Sequence, residues 1–163
     1  MKTTKTVTLF LTLIMILSLF AACGDNSSVK NDVPAEDIAS SIAKTLGSDS
    51  FVDAPETYIN GSMKMEVSSY ADYCVKINSK GINIDEFGIF KGNDSKQAGE
   101  IKTAVENYLK MRVETWMPEY MPEEFPKLEN AEIKTAGNYV MYAILSDSDK
   151  TSAFDAFSKA LAG

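Results

Sequence analysis

Residues 138–146, NYVMYAILS, are apolar on both alternating faces. Successive side chains of a strand point to opposite sides, so Tyr139, Met141, Ala143 and Leu145 share one face and Val140, Tyr142 and Ile144 the other. Such a stretch is expected to lie centrally in a sheet. A tight Ala136-Gly137 turn joins it to a strand over residues 131–135. Upstream, Tyr73, Val75 and Ile77 alternate with Cys74, Lys76 and Asn78, the pattern of a half-buried strand. After a Lys80-Gly81 turn, residues 82–91 (INIDEFGIFK) form its hairpin partner. Their apolar phase slips between Ile84 and Phe87, which predicts a bulge near Asp85-Glu86.

Helices separate these hairpins. Residues 34–46 place Ile38, Ile42 and Leu46 at four-residue steps, with proline in the first turn and Gly47 past the end. Residues 48–61 show no clean period and read as an irregular connection; residues 66–72 read as a short helix or turn. Asp94 opens the longest helix, with Gln97 three residues on as in a capping box, and the helix is expected to end near Trp116. Pro118, Pro122 and Pro126 exclude a regular helix running through them. Asp147 or Ser148 is expected to cap a last helix carrying Phe154, Phe157 and Leu161. The order α-ββ-α-ββ-α predicts an α+β fold, a four-stranded, mainly antiparallel sheet of two β-hairpins with helices packed mainly on one face.

The first thirty residues carry an address. Lys2 and Lys5 precede an apolar run over residues 7–22 that stops at Ala21-Ala22-Cys23. A positive start, an apolar run and small residues before a break are the parts of a secretory signal. The run is short for a membrane-crossing helix, which needs about 20 apolar residues. Residues 1–22 are therefore read as a lipoprotein signal peptide, and residues 23–33 as a lipidated cysteine and flexible tether. Residues 34–163 follow as a single domain. The Ala-Ala-Cys junction resembles a bacterial lipobox, with Phe20 where leucine is usual, and lipid on Cys23 is what that resemblance implies. Paired acyl chains give stable anchoring where one is marginal.

The full chain has a net charge of −7. Without residues 1–22 it keeps 14 basic residues against 23 acidic ones, a net charge of −9. That balance argues against nucleic acid and against an electrostatic grip on anionic lipid. Cys74 is the second and last cysteine, so no internal disulfide is available once Cys23 is lipidated. Histidine is absent, which removes the commonest general base, the Ser-His and Cys-His pairs and most zinc sites.

The segments IDEFGIFK, YLKMRVE, YMPEEFPKLENA and GNYVMYAILSD, in that order, resemble the domain-of-unknown-function family 4358 over residues 65–157. These are small lipid-anchored proteins found mainly in Clostridia and related Firmicutes. The resemblance implies an extracytoplasmic setting and assigns no ligand. Neighbouring membrane O-acyltransferase genes in that family hint at extracellular polymer modification. This chain departs from the family pattern in carrying Ile84 where alanine usually precedes the Asp-Glu pair.

Arg112 is the sharpest anomaly. Ala98, Ile101, Val105, Tyr108, Leu109 and Trp116 form one apolar helical stripe, and Arg112 points from its middle. It is the only arginine against fifteen lysines, which suggests a need for its planar fork. It either grips a ligand's carboxylate or other anion, or pairs internally with Asp85 or Glu86; desolvated charges favour the internal partner. Trp116, Met117, Tyr120, Met121 and Phe125 gather in a proline-stiffened segment that serves either as a binding surface or as a cap on the core. Residues 147–158 lack the glycine and final glutamate of a calcium loop, so no metal is expected. No cofactor and no catalytic residue is assigned, because no nucleophile–base pair is present.

The chain is thus expected to be a lipid-anchored protein on the outer face of the cytoplasmic membrane. It is read as a non-catalytic module that binds an envelope protein or polysaccharide and no nucleic acid. Its betting residues are Arg112, Asp85, Glu86, Trp116 and Tyr120. The competing expectation is an accessory protein or weak hydrolase in extracellular polysaccharide acylation.

Overall fold

The computed structural model of the protein describes residues 29–117 and 119–163. The expected signal peptide and the lipidation site at Cys23 lie outside the described residues. Residues 29–33, read from sequence as part of the tether, are tied to the body: Val29 bridges Ala162, and the Tyr139 hydroxyl donates to the Val33 carbonyl at 2.7 Å.

Among the described residues five helices and five strands follow in chain order: α1 Ala35–Thr45, β1 Phe51–Asp53, α2 Glu56–Gly61, β2 Asp72–Asn78, β3 Glu86–Lys91, α3 Ser95–Glu114, α4 Phe125–Glu129, β4 Glu132–Ala136, β5 Tyr139–Ile144 and α5 Asp147–Leu161. A single 3-10 turn spans Val67–Ser69. The strands make one antiparallel sheet in the order β1-β2-β3-β5-β4. The mixed helix and strand content and the two hairpins agree with the sequence reading.

Three features of that reading need correction. The sheet has five strands where four were expected. The fifth, β1, is three residues long, too short to show a period, and pairs Phe51 with Asn78 at the sheet edge. Helices cover both faces where one was expected. On one side α1 and α5 pack over Cys74, Phe87, Ile89, Tyr139 and Met141. On the other α3, with α2 and α4, covers Val75, Phe90, Val140, Tyr142 and Ile144. A strand that is apolar on both faces requires this arrangement, since each face must lose its water.

The same two-sided cover removes the expected bulge. β3 keeps unbroken register with both neighbours, Glu86 opposite Ile77 and Ile144, Lys91 opposite Asp72 and Tyr139. Its apparent phase slip arises because Phe87 and Ile89 serve one core while Phe90 serves the other. The residues before Glu86 turn out of the sheet: Asn83 Oδ1 accepts from the Asp85 amide at 2.5 Å, and Ile82 is 76% exposed.

Helix ends follow local chemistry. Asp94 caps α3 by accepting from the Gln97 amide at 2.8 Å, while the Gln97 side chain accepts from Asn93 instead of Asp94. Ser146, one residue before the expected cap, accepts from the Asp149 amide at 3.3 Å and starts α5. Gly47 ends α1 at φ +62°, where a side chain would be strained. No helix among the described residues is long and apolar enough to cross a membrane.

A buried carboxylate under Arg112 as the candidate functional site

Glu86 opens β3 on the face that also carries Gly88 and Phe90, toward α3. It is 3% exposed. A carboxylate taken out of water needs several donors, and three elements supply four of them. From α3, one turn apart, come Tyr108 and Arg112; from α2 comes Tyr58; from β5 comes Tyr142. The Tyr108 and Tyr142 hydroxyls donate to Oε1 at 2.7 and 2.5 Å. Tyr58 donates to Oε2 at 2.8 Å, and Arg112 Nη1 approaches the same oxygen at 3.3 Å. Arg112 Nη1 also donates to the Tyr108 and Tyr58 oxygens at 2.6 and 3.2 Å.

Burial and the Glu86 charge both oppose ionisation of the phenols. The Tyr58 hydroxyl is pushed up to about 12, and Tyr108 and Tyr142 are also held above the ordinary tyrosine value. Burial alone would lower the Arg112 value, but the Tyr108 oxygen and the Glu86 carboxylate more than offset it. Arg112 therefore stays charged, and the three phenols stay protonated as donors.

All these bonds use one corner of the guanidinium. Among the described residues Nη2 and Nε make no hydrogen bond, and the Arg112 side chain keeps 22% of its surface exposed. Arg112 lines a cleft of about 200 Å³ together with Tyr58, Ile77, Asn78, Asn83, Ile84 and the two acids Asp85 and Glu86. A larger hollow of about 480 Å³ lies between α1 and α5. Its lining, including Ser41, Thr45 and Asp155, brings no buried polar group together.

The two neighbouring acids part company, as adjacent strand residues do. Glu86 turns into the tyrosine cluster. Asp85 accepts from Lys127 at 2.8 Å and from the Asn83 amide nitrogen at 2.9 Å. Glu124 accepts from the same lysine and, at 3.1 Å, from the Ile84 amide, so α4 clamps the loop ahead of β3. Trp116 packs its ring 5.8 Å from Phe125, and its indole nitrogen is buried without a partner among the described residues. Tyr120 and Met117 remain 59% and 64% exposed. The structure therefore brings Glu86 to Arg112 and sends Asp85 to Lys127. Trp116 joins the core edge and Tyr120 faces solvent.

Sequence reasoning missed Tyr58, Tyr108 and Tyr142 as a set. The usable signal covered four of the five: Arg112, Tyr108 one helical turn before it, Glu86, and Tyr142 one strand away, each a polar tip on a face read as apolar.

A second charged cluster sits on the opposite face. The buried Lys76 ammonium donates to Glu36 at 2.9 Å and to Asp53 at 2.6 Å. The buried Cys74 thiol donates to Glu36 at 3.1 Å. Burial and the Glu36 hydrogen bond push the thiol well above its usual range. The Glu36, Asp53 and Cys74 ligand atoms lie within 4.8 Å of one another, close enough for a metal. The lysine ammonium, however, already stands between the two carboxylates as their cation.

A family model described as Domain of unknown function (DUF4358) matches residues 52–145. No curated protein and no solved structure matches the chain. The matched span contains Tyr58, Glu86, Gly88, Tyr108, Arg112 and Tyr142, the whole of the buried cluster.

Proposed function

We propose the following role for a chain that belongs to the Domain of unknown function (DUF4358) family: a lipid-anchored, non-catalytic binding module of the cell envelope. The anchor is Cys23, on the outer face of the cytoplasmic membrane, and the binding group is the unused edge of Arg112. The observation that carries this reading is the contrast within one guanidinium. Nη1 is committed to Glu86, Tyr58 and Tyr108, while Nη2 and Nε have no partner among the described residues and the side chain lines a cleft. A fork with fixed orientation and two spare nitrogens, Nε and Nη2, suits a carboxylate presented edge-on. A volume of about 200 Å³ is below the usual ligand-pocket range of roughly 300–1,000 Å³, which suits one end group of a larger molecule.

Trp116, the only tryptophan, lies one helical turn beyond Arg112 and supplies the readout. Glucuronate is expected to shift Trp116 emission in the wild type, with glucose as the neutral control. Arg112→Lys keeps the charge and loses the fork, so it should abolish the shift while the fold persists. Equal responses to glucuronate and glucose would refute the carboxylate reading. For the anchor, the full chain should partition with membranes in a host that lipidates proteins, and Cys23→Ala should release it.

The competing reading, an accessory or weakly hydrolytic role in polysaccharide acylation, draws on the two carboxylates that line the cleft. Both are already engaged, Asp85 by Lys127 and Glu86 by four donors, which disfavours acid–base work. Acetate release from an acetylated sugar that depends on Asp85 would restore that reading.

A further inference from the structure

The sheet and its three long helices run between the same two ends of the molecule. At one end the chain enters. There Asp72 opens β2 and accepts from the Ala35 amide at 2.7 Å, and the Lys91 ammonium closes β3 on the Asn31 carbonyl. Gly137, in the β4–β5 turn, lies against Val29 and Asn31, and the Leu161 carbonyl at the end of α5 accepts from the Lys30 amide at 3.0 Å. At the other end β2 finishes at Asn78, β3 begins at Glu86, and α3 delivers Arg112 to the cleft.

The separation of these ends exceeds the reach of the anchor. From Ser95 to Arg112 the helix climbs about 25 Å by the usual helical rise. Only six chain links join Cys23 to Val29, at most about 22 Å when fully extended. A lipid on Cys23 therefore cannot let the domain turn over and press its Arg112 end against the bilayer.

That far end also carries most of the exposed large apolar side chains among the described residues. Ile82 lies in the loop before β3, Met117 and Tyr120 follow α3, and Val52 stands opposite Ile77, a wall of the cleft. These are four of the five exposed large apolar side chains among the described residues; the fifth, Val29, is at the entry end. Exposed methionine and aromatic side chains around a polar centre are the composition of an interface core.

We infer that the protein holds the Arg112 cleft away from the membrane that anchors it, beyond reach of that membrane's headgroups, and presents it to a carboxylate-bearing ligand from the surrounding envelope. The inference rests on lipidation of Cys23, and its test separates the two. The full chain is produced lipidated and reconstituted into phosphatidylcholine vesicles, with a donor dye on Ile82→Cys or Ala162→Cys and an acceptor in the lipid. Ala162→Cys should transfer energy efficiently, and Ile82→Cys should show a marked loss of transfer. Equal transfer, or stronger transfer from Ile82→Cys, overturns the orientation while leaving the anchor intact. Failure of the labelled chains to float with vesicles, with Cys23→Ser behaving identically, overturns the anchor and the orientation together. Adding phosphatidylserine, whose headgroup carries a carboxylate, should leave Trp116 emission unchanged. A shift that Arg112→Lys abolishes would show the headgroup reaching the cleft and overturn the inference.

Discussion

Gly88 and Tyr142 face each other across β3 and β5, and the tyrosine ring lies over the glycine where a side chain would otherwise stand. A methyl group on Gly88 would overlap the ring. The close approach lets the Tyr142 hydroxyl pass along the sheet to Glu86, two residues away on the same face. Gly88→Ala should therefore displace the ring and weaken that bond, at the usual overpacking cost of about 1–3 kcal/mol. Thermal melting checks this, and an unchanged midpoint would show that the ring moves freely.

Glu86 is the hub of its cluster and Arg112 one spoke. Glu86→Leu leaves a guanidinium and three hydroxyls facing an apolar side chain, and should cost about 3–5 kcal/mol. Arg112→Leu leaves the carboxylate with three phenolic donors and should cost less. The double variant should be more stable than the sum of the two losses predicts. Urea unfolding of the four proteins gives the order directly; a larger loss for Arg112→Leu would place the hub elsewhere.

Alkali should unfold the protein through its tyrosines. The Tyr58 hydroxyl ionises near 12 in the fold, against 10.0 for an ordinary tyrosine. A phenol with a raised native value contributes stability that is complete below pH 10 and is lost as pH climbs toward 12. Tyrosinate absorbance and loss of ellipticity should rise together in that window. Tyr58→Phe should make the stability decline shallower.

Acid acts on the opposite face. Although burial would raise it, the Lys76 ammonium and the Cys74 thiol hold the Glu36 carboxyl below its usual 4.5. A depressed carboxylate contributes stability that is complete above about pH 4.5 and is lost as pH falls through the lower native value. Lys76→Met should flatten that acid limb, and melting from pH 6 to pH 3 measures it. A limb of unchanged slope would mean that Lys76 does not set the Glu36 value.

The long helix and both hairpins were legible because their signals are local. Asp94 with Gln97 marks a start, and Lys80-Gly81 and Ala136-Gly137 mark turns. Arg112 was legible because one charge interrupts an otherwise apolar stripe, and Glu86 followed as one of two adjacent candidates. The three tyrosines were not, since a buried tyrosine reads as an apolar residue until its hydroxyl has a partner in space. β1 is too short for any period. The second helical layer was implied by Tyr139–Ile144, apolar on both faces, but the segregated order of hairpins and helices suggested one layer.

Cys74 has a chemical consequence. Thiols react as thiolates, and this one is buried, donates to Glu36 and lies beside Asp53. Each of these contacts resists loss of its proton, so oxidants and disulfide exchange find no nucleophile. Thiol and folded chain are protected by the same packing, and the domain is indifferent to the redox poise of whatever space it occupies.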